Sequence, residues 1–293
     1  MRQQEGRFPG PRGIEIHHQS WLPDGEVRAV VMIVHGLGEH IARYGNLVAT
    51  LLPRGIAVVG VDHIGHGRSG GPRGDALAFS DFTAPLDTLR ERCERAWPGV
   101  PLFLLGHSMG GLIAAHYLID RQAGLAGAVL SAPAVVPGSS VTPLTIALGK
   151  LLARVAPRVG VLRLEVDALS RDPAVVQAYR DDPLVLHRKT NARLGALLLQ
   201  AIARVQADAG RIELPLLIVQ GGADRLTDPA GAQTLRSLVG SGDVELELYP
   251  DAYHELFNEP DRERVLHRVS EWLEQRVDAL GSRRHAQRED TTT

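Results

Sequence analysis

Five short runs in the chain are apolar almost from end to end: AVVMIV at 29–34, IAVVGV at 56–61, PLFLL at 101–105, GAVL at 127–130 and LPLLIV at 214–219. A strand with one wet face alternates apolar and polar residues, because successive side chains point to opposite sides. Runs without alternation suit strands covered on both faces, the usual condition of a parallel sheet between helices. Helical patterns fall between them, at 41–52, 79–97, 112–121, 229–239 and 261–280. The alternation predicts an α/β fold with a mostly parallel central sheet flanked by helices. Two further segments, 14–18 and from Val27 onward, predict antiparallel strands ahead of the series.

One stretch breaks the rhythm. From 137 to 207 no buried strand is evident, and helical patterns at 145–155 and 194–205 follow one another. This predicts a helical cap inserted at 137–207 between two parts of one core, 1–136 and 208–280. The polar stretch 281–293, ending in three threonines, is expected to be disordered. A chain of 293 residues can bury roughly 75% of its unfolded surface, enough for one large core.

Charge and cysteine content exclude several classes. The net charge is −2 and no basic stripe appears, which argues against nucleic acid as a partner. Cys93 is the single cysteine, so no internal disulfide can form, and a buried position on a helix is expected for it. The opening MRQQEGRFPGPRG lacks the apolar core of a signal peptide. No run reaches the roughly 20 apolar residues of a membrane span. A cytoplasmic protein is expected, with attachment at a membrane surface left open.

The pattern G-x-S-x-G occurs twice, as GRSGG at 67–71 and GHSMG at 106–110. A serine nucleophile needs a buried strand running into the turn and a helix leaving it, so that the hydroxyl stands above the sheet. Ser108 has both, in LFLLGHSMGGLIAA at 102–115, whereas Ser69 is followed by Gly70-Gly71-Pro72. Ser108 is the candidate nucleophile and Ser69 a loop serine. Such a serine needs a histidine base oriented by a carboxylate, in the chain order serine, acid, histidine. Of the histidines after Ser108, His116 and His267 sit in helical patterns, His187 in the inserted segment and His285 in the tail. His254 remains, directly after the strand-like run VELELY at 244–249. Asp224 follows the run LLIVQ and is the expected acid; Asp228 precedes Pro229 and is assigned to a helix start instead. Turnover is expected to fall as His254 is protonated, near the ordinary value of about 6.5. The expected oxyanion donors are the backbone N–H groups of Met109 and of Leu37, in the loop HGLG after the strand at 29–34. No metal site is expected: His63 and His66 lie in a glycine-rich loop without a third ligand.

Several segments together resemble the monoacylglycerol lipase group of the α/β-hydrolase fold. They are HGLGEHIARYGNLVATLLPRGIAVVGVDHIGHGRSGGPRG, GHSMGGLIA, LSAPAV, SRDPAVVQAYRDDPL, QGGADRLTD and YPDAYHELFNEP. The likeness runs from about Gly13 to Leu280 and is closest to bacterial, particularly actinobacterial, members. It implies hydrolysis of a monoacylglycerol, or a similar small lipid ester, to glycerol and a fatty acid without a cofactor. It agrees with Ser108, Asp224, His254, Leu37 and Met109, and it implies that Glu39, Arg43, His107 and Tyr179 surround the glycerol end of the site. Residue chemistry alone leaves Glu39 and Arg43 open to a second reading, an i,i+4 ion pair at a helix start. Ile146, Leu148, Leu151, Leu152 and Val155 suit a tunnel for an acyl tail, a lipid-surface contact, or the seat of the cap on the core. Lys150, Arg154 and Arg158 interrupt them, so this stretch can lie at an interface but not cross a membrane. The competing readings are a lysophospholipase, carboxylesterase or thioesterase on the same scaffold, a peptidase, and a non-catalytic ligand-binding protein.

Overall fold

The computed structural model describes residues 2–137 and 143–290, with side chains described outside 143–146, 150 and 283–290. Its strands are β1 (Arg2–Pro9), β2 (Glu15–Leu22), β3 (Ala29–Val34), β4 (Ile56–Val61), β5 (Leu102–His107), β6 (Gly127–Ser131), β7 (Gly160–Leu162), β8 (Thr190–Asn191), β9 (Leu216–Gly221) and β10 (Val244–Tyr249). Its helices are α1 (Gly45–Leu51), α2 (Ser80–Ala96), α3 (Met109–Arg121), α4 (Pro143–Val155), α5 (Pro173–Asp181), α6 (Ala192–Asp208), α7 (Ala230–Leu238) and α8 (Arg262–Asp290).

Among the described residues, eight strands form one sheet in the order β1-β2-β4-β3-β5-β6-β9-β10. From β4 to β10 every pairing is parallel. β3 shows why the apolar runs do not alternate. Val30, Met32 and Val34 pack into one buried cluster, while Ala29, Val31 and Ile33 pack into another. The first cluster takes residues from α2, α3, α6 and α7, and the second from α1 and α8. Each face of the strand is therefore covered by its own helical layer. The antiparallel start differs from the expectation. β2 pairs antiparallel with β1 and β4, while the run after Val27 becomes β3 inside the parallel part. β1 is legible only from its partner, because its residues are mostly exposed and polar.

Between β6 and β9 lie α4, α5, α6 and a small antiparallel ribbon of β7 and β8. The ribbon is an addition to the helices expected there. Residues 138–142 of the expected cap lie outside the described residues. α6 puts Leu194, Ala201, Ile202 and Val205 into the same cluster as the strands, so the insertion is seated on the sheet through its last helix. α8 continues to Asp290, so the expected disordered tail is helical over 281–290; 291–293 lie outside the described residues. Extending a formed helix adds one hydrogen bond per residue without a new nucleus, and Arg, Ala, Gln and Glu favour it.

The crossing of β5 and α3 depends on glycine. A Cβ added at Gly110 would lie 1.9 Å from the Val34 carbonyl oxygen, and one at Gly106 would lie 2.4 Å from the Gly110 oxygen. Gly110→Ala is expected to lower the free energy of unfolding by about 3 kcal/mol, the cost of overfilling a close-packed interior. The midpoint of urea unfolding measures it. A change under about 0.5 kcal/mol would mean that α3 can move off the sheet freely.

Candidate active site

Ser108 sits between β5 and α3 with φ 55° and ψ −119°. Such a backbone costs a non-glycine residue on the order of 1–3 kcal/mol and persists only where neighbours enforce it. Here Ser108 N–H donates to the Ser131 oxygen at 2.9 Å, and the Ser108 oxygen accepts from Leu112 and Ala134, both at 3.1 Å. The side chain is half-buried, at the carboxyl end of the sheet. Ser69, by contrast, donates its hydroxyl to the Asp62 oxygen at 2.6 Å and accepts from His17 N–H at 2.8 Å. It is a structural loop residue.

Asp224 follows β9 and His254 follows β10, and the parallel pairing of these strands brings the two loops together. His254 Nδ1 lies 2.8 Å from Asp224 Oδ2, with both residues buried. Asp224 Oδ1 accepts from Leu226 N–H at 2.8 Å and Thr227 N–H at 3.0 Å, and Oδ2 accepts from Thr227 Oγ1 at 2.7 Å and Gln220 Nε2 at 3.1 Å. Burial opposes ionisation of this carboxyl, but His254 and the Thr227 donors outweigh it and bring its pKa down to about 2. Burial likewise opposes the His254 imidazolium. The Asp224 charge and hydrogen bond, with Glu255 and Glu39 nearby, overcome it and hold His254 above its ordinary value. Asp228 accepts from Ala230 N–H at 2.9 Å and starts α7, as expected of a capping residue.

The loop after β3 lies against the serine. A Cβ on Gly36 would sit 3.2 Å from Ser108 Cβ. Among the described residues, no acceptor engages the N–H of Leu37 or Met109. His35 orients this loop. Its Nε2 accepts from His63 N–H at 2.9 Å, so Nδ1 carries the proton and donates to the Gly36 oxygen at 2.8 Å. In a trans peptide the C=O and the next N–H point in opposite directions. Holding the Gly36 oxygen toward His35 therefore turns the Leu37 N–H away from that ring. Glu39 acts on the same loop, accepting from Gly36 N–H at 2.5 Å and from the Tyr44 hydroxyl at 2.8 Å.

Glu39, Arg43 and His107 line one small cleft with Tyr44, Glu255, Phe257 and Asn258. Its volume is about 10 Å³, no more than one water needs. The i,i+4 contact of Arg43 with Glu39 exists at 3.5 Å, but Arg43 makes shorter bonds to both oxygens of Glu255, at 2.8 Å each. Its guanidinium also stacks on the Tyr179 ring, 4.7 Å from the centroid. Tyr179, on α5, donates to the Gly38 oxygen at 3.3 Å, tying the insertion to the loop after β3. The His107 ring lies 4.7 Å from that of His254, with Nδ1 3.2 Å from Ser131 Oγ. Burial and the nearby His254 push His107 well below its ordinary pKa, so it is neutral. Cys93 is buried and its thiol is pushed up to about 12 by burial. No cluster suited to a metal ion occurs among the described residues.

Residues 25–261 match the family model described as serine aminopeptidase, S33. A monoacylglycerol lipase of Mycolicibacterium smegmatis is 39% identical over 92% of this chain and 96% of its own. A crystal structure of Paleococcus ferrophilus monoacylglycerol lipase superposes with a TM-score of 0.79 and 32% identity, over 94% of this chain and 100% of that one. A soluble variant of the Saccharomyces cerevisiae monoglyceride lipase, in complex with a substrate analog, gives a TM-score of 0.82 and 25% identity over 93% and 94% of the two chains. The chain belongs to the monoacylglycerol lipase group of the α/β-hydrolases. As a member of that group it carries a site whose support sequence reasoning captured only in part. Glu255, His35, Thr227 and Ser131 were missed. Glu255 left a signal as the neighbour of His254 in HELFNE, and Thr227 as the third residue after Asp224 in ADRLTD. Ser131 meets His107 across the sheet, and His35 is set by His63, contacts that local patterns do not encode.

Proposed function

We propose that the protein is a serine hydrolase that cleaves monoacylglycerols to glycerol and a free fatty acid through an acyl-enzyme. The observation that carries this reading is the buried His254–Asp224 pair at 2.8 Å, on the sheet edge that also holds the strained Ser108. Ser108 Oγ attacks the ester carbonyl while His254 Nε2 takes its proton. Asp224 accepts from His254 Nδ1–H, which keeps Nε2 free as a base and stabilises the imidazolium. The Leu37 and Met109 N–H groups receive the developing oxyanion, aimed in advance by His35, Glu39 and the start of α3. His254 then protonates the departing glycerol, and water repeats the sequence on the acyl group.

Glu39, Arg43, His107 and Tyr179 surround the glycerol end of the site in this reading. Glu39 and Tyr179 bond to the loop after β3, Arg43 to Glu39 and Glu255, and His107 lies in contact with Ser131. Glu39 and Tyr179 therefore hold that loop, while Arg43 ties Glu39 to Glu255 after β10.

The base must be neutral to act, so kcat/KM falls as pH drops through the pKa of His254 in the free enzyme. Because that pKa is raised, the acid limb should lie above 6.5, not at it. A kcat/KM-versus-pH profile, which reports the free enzyme's groups, checks this; a limb at or below 6.5 would contradict the pairing with Asp224.

Residues 137–207 serve as a cap over the two core parts, 1–136 and 208–280. On its outer side Leu148, Leu151 and Val155 are 55%, 56% and 72% exposed, at a spacing that puts them on one helix face. Leu152 is half-buried, and the Ile146 and Lys150 side chains lie outside the described residues. An apolar face this open favours contact with a lipid surface over a seat on the core. No described helix is long and apolar enough to cross a membrane.

Rates on monoacylglycerols of graded chain length, on di- and triacylglycerols, on lysophospholipids and on aminoacyl amides test the assignment. The expected result is the highest kcat/KM on monoacylglycerols. Preference for aminoacyl amides would replace the lipase reading with a peptidase.

A further inference from the structure

A second cleft, of about 550 Å³, opens where the loop after β4 meets the β7–β8 ribbon. Pro72, Gly74, Gly160 and Asn191 form its walls, and Arg73, Arg158, Arg188, Lys189 and Asp75 supply its charge. Four cations thus face one carboxylate, and that carboxylate is already committed. Asp75 accepts from Arg193 Nε at 3.0 Å and from the Arg193 Nη2 group. Among the described residues, no carboxylate pairs with Arg73, Arg158, Arg188 or Lys189. Arg73 instead donates to the Gly67 oxygen at 2.9 Å and the Leu184 oxygen at 2.6 Å, and Arg188 donates to the Arg73 oxygen.

Like charges brought together without a counterion are unfavourable, and an anion that offsets them is attracted. Burial and the neighbouring Arg188 both push the Arg73 guanidinium down from its usual pKa. Part of the gathering is set by the backbone. A Cβ on Gly160 would lie 2.7 Å from Lys189 Cβ, so this glycine lets the Lys189 stem pass over β7. The chain has only two lysines, and one of them is here.

Planar guanidinium forks suit carboxylate and phosphate oxygens alike. Four cations and this volume exceed what one carboxylate needs, and they match a phosphate that carries a small polar ester. The rim supplies the other clue. Val159, Val161 and Leu162, flanking Gly160, are 48%, 45% and 56% exposed, in the segment that follows α4. We propose that this cleft binds the phosphate headgroup of an anionic phospholipid. The apolar rim then enters the lipid layer while the cations hold the headgroup, so that the enzyme docks on negatively charged membranes. The inference rests on the lipid-surface reading of the insertion only for the source of the phosphate.

The test uses the full chain and two double variants. R158E/K189E reverses two exposed cations that have no ion-pair partner among the described residues, and L151E/V155E spoils the apolar face. Binding of glycerol 1-phosphate and inorganic phosphate is measured by calorimetry. Sedimentation is measured with vesicles of phosphatidylcholine alone and of an equal mixture with phosphatidylglycerol. The wild type should prefer the mixed vesicles by about tenfold or more, since each basic residue near an anionic surface adds on the order of fivefold. It should also bind glycerol 1-phosphate. R158E/K189E should lose both effects while hydrolysing a short soluble ester at the wild-type rate. L151E/V155E should bind both vesicle types less and keep glycerol 1-phosphate, so that failure of the lipid-surface reading is seen separately. Equal binding of wild type and R158E/K189E to the mixed vesicles would overturn the proposal. Binding of inorganic phosphate without any preference for mixed vesicles would overturn the lipid source.

Discussion

Ser108→Ala is expected to lower kcat on a monoacylglycerol by about 10⁴ to 10⁶ with little change in KM, the range seen when a serine hydrolase loses its nucleophile. The variant removes the only atom that forms the acyl bond. The residual rate reflects binding and the oxyanion donors acting on water. Most contacts that shape the turn survive, because the Ser131, Leu112 and Ala134 hydrogen bonds all use the Ser108 backbone. Circular dichroism should therefore match the wild type, so loss of activity is read as chemistry and not as unfolding. Near-full activity in a folded variant would place the nucleophile elsewhere, and Ser69 is no substitute while its hydroxyl is bound to the Asp62 oxygen.

Asp224→Asn is expected to cost about 10⁴ in kcat, as loss of the orienting carboxylate does in serine hydrolases. The amide oxygen can still accept from Leu226 and Thr227 N–H, as Asp224 Oδ1 does, so the loop should hold. The amide nitrogen then faces His254 Nδ1 as a donor. That forces the proton onto Nε2 and turns the wrong tautomer toward Ser108. It also faces the Gln220 and Thr227 donors. With the carboxylate charge gone, burial dominates and the acid limb of the remaining activity should move to lower pH. A loss under about tenfold, with an unmoved limb, would mean that another carboxylate orients the histidine.

How much was legible in advance differs between the fold and the site. The strands at 29–34 and 56–61 coincide with β3 and β4, because residues buried on both faces leave an unbroken apolar run. That at 244–249 coincides with β10, an edge strand whose glutamates alternate with apolar residues. β1 left no such mark, since it forms an edge whose residues stay wet. The β7–β8 ribbon is too short and too exposed at β7 to show a period. Within the site, Ser108, Asp224 and His254 stand out because strand ends precede them. Arg43 shows how a local pattern misleads. Its partner four residues away, Glu39, is real, but the shorter bonds go to Glu255 across the fold. The support of the Leu37 peptide by His35 and His63 is long-range in the same way. The alternation of strands and helices carried the topology; side-chain partners set by folding could not be read from it.

The central claim is tested most directly by the structure of the protein after reaction with a fluorophosphonate. The account predicts phosphorus bonded to Ser108 Oγ, with the phosphonyl oxygen about 2.7–3.1 Å from the Leu37 and Met109 nitrogens and His254 Nε2 directed at the serine oxygen. An adduct on any other residue, or a folded protein that takes up no phosphonate, would contradict it.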